Sequence, residues 1–167
     1  MRKALTVLVS GVLLAACAAK GEMARVAAGV DLGAYRRLGV LPFGAGSYAP
    51  ALYKELFGLG FDMVPTESLE ATMKELDVLP GEPLGPATLL DLRQRTKADA
   101  LVFGALECPR LRGEKKVSVL ILGTLEGDTL FQLSYHPKSC GAPADAEEAA
   151  AHVAMMVGRA LRRRGDE

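Results

Sequence analysis

The sequence predicts an α/β fold: a mixed five-stranded sheet, three parallel strands plus a C-terminal antiparallel hairpin, covered by about four helices. Three observations carry this. Short apolar runs beginning near Leu38, Phe61 and Asp99 alternate with longer stretches of helical periodicity, which is the pattern of parallel strands joined by helical crossovers. Two further strand-like runs follow with only Glu126-Gly127-Asp128 as turn chemistry between them. The chain then ends in a long alanine-rich amphipathic segment.

Taken in order, residues 18–36 are rich in Ala and Gly with little periodicity, and read as a tether running into the fold. Leu38-Gly39-Val40-Leu41-Pro42-Phe43 is a buried-strand run, limited by Pro42 and closed by the Gly44-Ala45-Gly46 loop. Pro50 to Phe57 is the first helix, with Leu52 and Leu56 on one face and Pro50 in its first turn. Phe61 to Pro65 is the second strand. Thr66 is expected to cap a second helix that presents Leu69, Met73 and Leu76 on one face. Pro80 to Pro86 is loop by composition.

A helix from Ala87 to Lys97 comes next, burying some of Leu89, Leu90 and Leu92. Asp99 to Leu106 is a third apolar strand. Val117 to Leu122 is apolar except for Ser118, hence central or well covered. Thr129 to His136 alternates as a half-exposed strand does. The last helix, about Ala144 to Arg164, stripes Ala146, Ala149, Ala150, Val153, Val157, Ala160 and Leu161 along one face. Asp145, Glu147 and Glu148 open it and Arg162, Arg163 and Arg164 close it, in agreement with the macrodipole.

The N-terminus is different in kind. Arg2 and Lys3 precede an uncharged apolar run from Ala4 to Ala16, too short to span a bilayer, which needs about 20 residues. This is the make-up of a secretory leader. Leu14-Ala15-Ala16-Cys17 resembles the lipobox of bacterial lipoproteins. That resemblance implies cleavage between Ala16 and Cys17, a diacylglyceryl thioether on Cys17, and anchorage to the membrane through the N-terminal lipid. Ala18 then favours the outer membrane, with the domain on the periplasmic face. The expected organisation is leader 1–16, lipidated tether 17–36 and a single α/β domain over 37–164.

The 20 basic and 20 acidic residues of the whole chain cancel. Loss of the leader removes Arg2 and Lys3 and no acid, leaving a net charge of −2. No basic excess remains to neutralise phosphates, which argues against a nucleic-acid partner. With Cys17 used for lipid, Cys108 and Cys140 are left as an even pair in an oxidising compartment, open to a disulfide or to two free thiols. A metal site recruiting His136 and His152 lacks CxxC or HxxxH spacing, so no metal is expected.

Enzyme chemistry is equally poorly supported, and no catalytic residue or cofactor is assigned. Gly44-x-Gly46 lacks the rest of a dinucleotide or phosphate loop, and neither G-x-S-x-G nor H-E-x-x-H occurs. Glu67, Glu70 and Glu75 read as a solvated helix face, and Met155 and Met156 as packing residues.

The opening strand Leu38 to Phe43 is similar to that of a superfamily of periplasmic lipoproteins. The group includes the curli-secretion channel lipoprotein, the penicillin-binding-protein activator lipoproteins and the lipoprotein of the Pel polysaccharide exporter, all similar in fold to the amino-terminal domain of TolB. Gly60 to Pro65, Lys97 to Gly104 and Gly123 to Phe131 resemble its later motifs in register, so the resemblance spans about 39–164. It implies a structural role for Asp99 before its strand and no catalytic residue. The stretch Glu107 to Lys116 is too short for the curli channel's barrel hairpins, which argues against a self-made pore.

Arg110, Arg112, Lys115 and Lys116 lie in that stretch. They are either a solvated turn or a contact for anionic lipid or an acidic partner. The expected function is that of a membrane-anchored, non-enzymatic assembly or accessory factor, docking an envelope protein and open to homo-oligomerisation. The alternative is a ring-forming subunit of a secretion or polysaccharide-export apparatus.

Overall fold

The computed structural model describes residues 22–42, 47–79, 81–109 and 113–162. Ala16, Cys17, the Gly44–Gly46 loop, Arg110, Arg112, Arg163 and Arg164 lie outside them. Among the described residues six strands form one sheet: β1 (Met23–Val26), β2 (Arg37–Val40), β3 (Asp62–Met63), β4 (Ala100–Glu107), β5 (Lys116–Gly123) and β6 (Thr129–Tyr135). Their spatial order is β1-β6-β5-β4-β2-β3. The helices are α1 (Tyr48–Gly58), α2 (Thr66–Glu75), α3 (Pro86–Thr96) and α4 (Pro143–Arg162), and a single 3-10 turn spans Leu32–Ala34.

The expected mixed topology is present, with β2 parallel to both β3 and β4 and with β4, β5 and β6 antiparallel. The strand count differs. The sixth strand comes from the stretch expected to be tether, where Met23–Val26 pairs antiparallel with β6. Met-Ala-Arg-Val is too short and too mixed to show a period of two. Only the free edge of β6 makes it a strand, and that is a tertiary effect.

The parallel strands are shorter than their apolar runs. β2 hands its last rung to Leu41, whose N–H reaches Val102 O, before Pro42 removes the next donor. β3 is ended by Pro65 in the same way. Thr66 is not the cap of α2: Pro65 holds that position without any side-chain bond, and Thr66 is already helical. The proline before it fixes the extended backbone that the helix entry needs.

The registers sort the core into two layers. Leu38, Val40, Val102, Val119, Ile121, Phe131 and Leu133 share one face of the sheet and are buried. Helices α1 and α4 pack together on that side, where Tyr135 meets Ala149 of α4. The alanines of α4 make that close approach possible. On the opposite face α2 lies against β2 and packs on α3, which reaches Thr124 and Gly127 at the end of β5. There a Cβ on Gly39 would meet Leu101 Cδ2 at 2.9 Å and Leu69 Cδ2 at 3.2 Å.

Beyond them Phe103, Leu120 and Leu122 remain half-exposed on the same face as Ser118, Gln132 and Ser134. β5 is therefore central in the sheet, yet one of its faces is only partly covered. Gly39→Val is expected to lower unfolding free energy in urea by about 1–3 kcal/mol, because two packed leucines must yield to the new methyls.

Candidate functional site

Polar side chains concentrate at the two ends of the sheet. At the amino ends of the parallel strands, Asp99 Oδ2 accepts the N–H groups of Arg36 (3.1 Å) and Arg37 (3.0 Å), while its own N–H donates to Arg37 O at 2.8 Å. Thr124, fully buried just after β5, donates its N–H to Asp99 O at 3.0 Å. Its hydroxyl lies 2.7 Å from Ala98 O and 2.9 Å from Asp99 O, and accepts from the Arg93 guanidinium at 3.1 Å. Arg93 also stands 3.7 Å from Asp99 Oδ1, and Arg37 pairs with Asp62.

An open cavity of about 360 Å³ lies beside this knot, with Tyr35, Arg93, Asp99, Glu126 and Asp128 on its wall. Partial burial, then Asp128 and Glu126, push the Tyr35 hydroxyl above its ordinary value. Asp99, Arg93 and Thr124 are already committed to backbone and to one another. The cavity also sits at the amino ends of the parallel strands, whereas ligand crevices of α/β sheets lie outside the carboxyl ends. The arrangement is a brace. Asp99 carries the structural role that its position before the strand implies. Thr124→Val is expected to cost about 1–3 kcal/mol in a urea titration, by stranding a buried carbonyl, with Thr124→Ser close to wild type.

At the other end of the sheet, Cys108 and Cys140 form a disulfide with their Cα atoms 5.6 Å apart, tying the end of β4 to the loop before α4. Lys115 donates to Lys138 O at 2.8 Å, and His136 Nδ1 lies 2.8 Å from Lys115 O. Lys116 starts β5 directly opposite Glu107 of β4. The two described members of the basic turn are thus placed together with local partners. Glu22 Oε1 approaches His152 Nε2 at 3.5 Å, and the His152 and Tyr135 ring centroids are 4.4 Å apart. Burial, then Glu148 and Glu22, push the Tyr135 hydroxyl up to about 12.

Asp145 illustrates what the sequence showed and what it concealed. Its acidity at the start of α4 was legible as a dipole match. The structure adds that its carboxylate accepts the Ala142 N–H at 2.9 Å while its own N–H donates to Ala142 O, a reciprocal cap. The Ser139 hydroxyl bond first, and the Ala142 bond next, hold this carboxyl below its ordinary value. The stabilisation is therefore present at neutral pH and lost as pH falls through the lowered value. Asp145→Asn should flatten the acid limb of the stability profile below about pH 4, followed by circular dichroism. Glu22 and His152 had no such signal, because their meeting depends on β1.

Among the described residues no group of three or more His, Cys, Asp or Glu side chains is placed to hold a metal ion, and no helix is long and apolar enough to cross a membrane. Glu67, Glu70 and Glu75 are exposed along α2, and Glu75 pairs with Arg95. Removing the disulfide by Cys108→Ser with Cys140→Ser should cost about 3–4 kcal/mol, the loop entropy of a closure over 32 residues. Unfolding with and without reductant checks it: the wild type alone should respond to reductant.

No protein-family model matches the chain, and no curated protein matches it. Solved structures do. The LpoB C-terminal domain from Salmonella enterica is 12% identical, covering 63% of this chain and 84% of its own, at a TM-score of 0.47. The PelC dodecamer from Paraburkholderia phytofirmans is 15% identical, covering 82% and 97%, at 0.44. A lipoprotein from Neisseria meningitidis is 14% identical, covering 79% and 98%, at 0.48. At such identities and TM-scores these structures assign neither a family nor an activity to this chain.

Proposed function

We propose that this chain is a lipid-anchored periplasmic accessory protein of the bacterial envelope, working by docking an envelope protein and not by catalysis. The observation that carries the reading is the position of Cys17. It ends a leader-like run in a lipobox, and the first strand begins at Met23, only six residues later. Six residues extend to about 20 Å at most, so a lipid on Cys17 holds the sheet close under the membrane. The outer membrane is the anchorage site that Ala18 favours. The commitment of Asp99, Thr124, Arg93 and Asp145 to bracing the backbone fits a domain that offers surface and no chemistry.

Expression in a Gram-negative host followed by mass analysis of the N-terminal peptide tests the anchor. The expected result is a chain beginning at Cys17 with lipid mass added, found in the outer-membrane fraction. Cys17→Ala should leave the chain unmodified. A soluble wild-type product carrying residues 1–16, or beginning elsewhere, would sink the anchor. Crosslinking of the membrane-bound protein in cells tests the second half. Recovery of no envelope protein on an anchored, folded chain counts against the accessory role alone.

A further inference from the structure

Among the described strands β1 alone has no buried residue. With no apolar side chain taken out of water, its hold is the backbone ladder to β6 and one contact at its start. That contact is loose. Glu22 Oε1 stands 3.5 Å from His152 Nε2, a nitrogen shut away from water that makes no hydrogen bond among the described residues. A buried polar atom without a hydrogen bond costs free energy, and moving Glu22 away lets water reach it. Docking of β1 thus carries a penalty that release recovers.

Just beyond β1 the chain is anchored afresh. Ala27 closes the ladder on Leu130 O, and the Val30 N–H turns back to Ala27 O around Gly29. Gly29 has a φ of +79°, a left-handed conformation that glycine adopts freely, and open space where a side chain would stand. From there on the chain is held without β1. Leu32 is buried in the core, Asp31 accepts the Gly33 N–H at 3.0 Å, and Asp99 holds the N–H groups of Arg36 and Arg37. β6 keeps its own ladder to β5 as well.

We propose that β1 is a releasable strap, which leaves β6 as a unit about a pivot at Gly29 while the rest of the sheet stays folded. Resting on the reading of Cys17 as the lipid anchor, release gives the domain two reaches. Docked, the six residues from Ala18 to Met23 extend to about 20 Å. Released, the first packed residue is Val30, and the thirteen residues from Ala18 to Val30 extend to about 45 Å. The distance from the membrane then more than doubles with the core intact.

Amide exchange on the full chain in mild detergent tests the strap. Ala27, and Arg25 two residues before it, turn their N–H groups to β6. Both should exchange about a hundredfold or more faster than Val102 and Ile121 in the central strands. Arg25→Pro removes a ladder donor. It should speed exchange at Ala27 further and move the melting midpoint by no more than about 2 °C. Arg25 and Gln132 face each other as a hydrogen-bonded pair, with about 5.5 Å expected between Cα atoms, within disulfide reach. Arg25→Cys with Gln132→Cys should therefore close a bond and slow exchange at Ala27 about tenfold or more.

Failure of that pair to close, wild-type β1 amides as slow as Val102 and Ile121, or cooperative loss of the core in Arg25→Pro overturns the proposal. The second reach is read on vesicles of phosphatidylethanolamine and phosphatidylglycerol, by energy transfer from a dye on Glu70→Cys to the headgroups. The lipidated chain should show two distances and the locked chain the shorter one alone; a single distance in both overturns the second reach. The exchange measurements need no lipid, so their failure sinks the strap, whereas loss of vesicle binding sinks the anchor.

Discussion

The carboxylate of Asp99 and the hydroxyl of Thr124 hold together segments that no turn connects: the entry to β2, the entry to β4 and the exit of β5. Parallel neighbours lack a hairpin to set their register, so something else must choose which residue faces which. Here Asp99 grips two successive N–H groups just before and at the start of β2, while Thr124 closes over the carbonyls leading into β4. A slip of one residue would take the Arg36 and Arg37 N–H groups off the Asp99 carboxylate and turn Leu38 and Val40 away from the core. The apolar layers can therefore form only in the register that this knot allows.

Much of that design was legible from the chain. Apolar runs at Leu38, Asp99 and Val117 marked central strands because burial on both faces, or a middle place in the sheet, demands continuous hydrophobicity. The long stripe of α4 was legible because small residues recur at helical spacing over five turns. What escaped was whatever depends on a remote neighbour. β1 has no pattern of its own, Thr66 looks like a cap until Pro65 takes that position, and the pairing of Glu22 with His152 exists only after β1 is in place. The half-exposed face of β5 escaped too, since an apolar run does not reveal how far Ser118, Leu120 and Leu122 are covered.

The candidate site follows the same division. Cysteine parity left the pairing of Cys108 and Cys140 open between a bond and two thiols, and the fold sets them side by side. The basic turn was visible as charge, and the structure gives Lys115 and Lys116 structural neighbours, Lys138 and Glu107. Polar groups that catch the eye in sequence are here largely spent on the backbone. Among the described residues, the sheet face around Phe103 and Leu120 is left as half-exposed apolar surface.

Under the proposed export to the periplasm, the disulfide also imposes an order of events on the life of the chain. On that reading the polypeptide crosses the inner membrane before oxidising conditions reach it, and Cys108 and Cys140 are thiols throughout the passage. Without the bond, the connection between β4 and α4 keeps the entropy that the closed loop later removes. An exported chain would thus be at its least stable during the crossing, when unfolding is an advantage, and gain its last increment of stability on arrival.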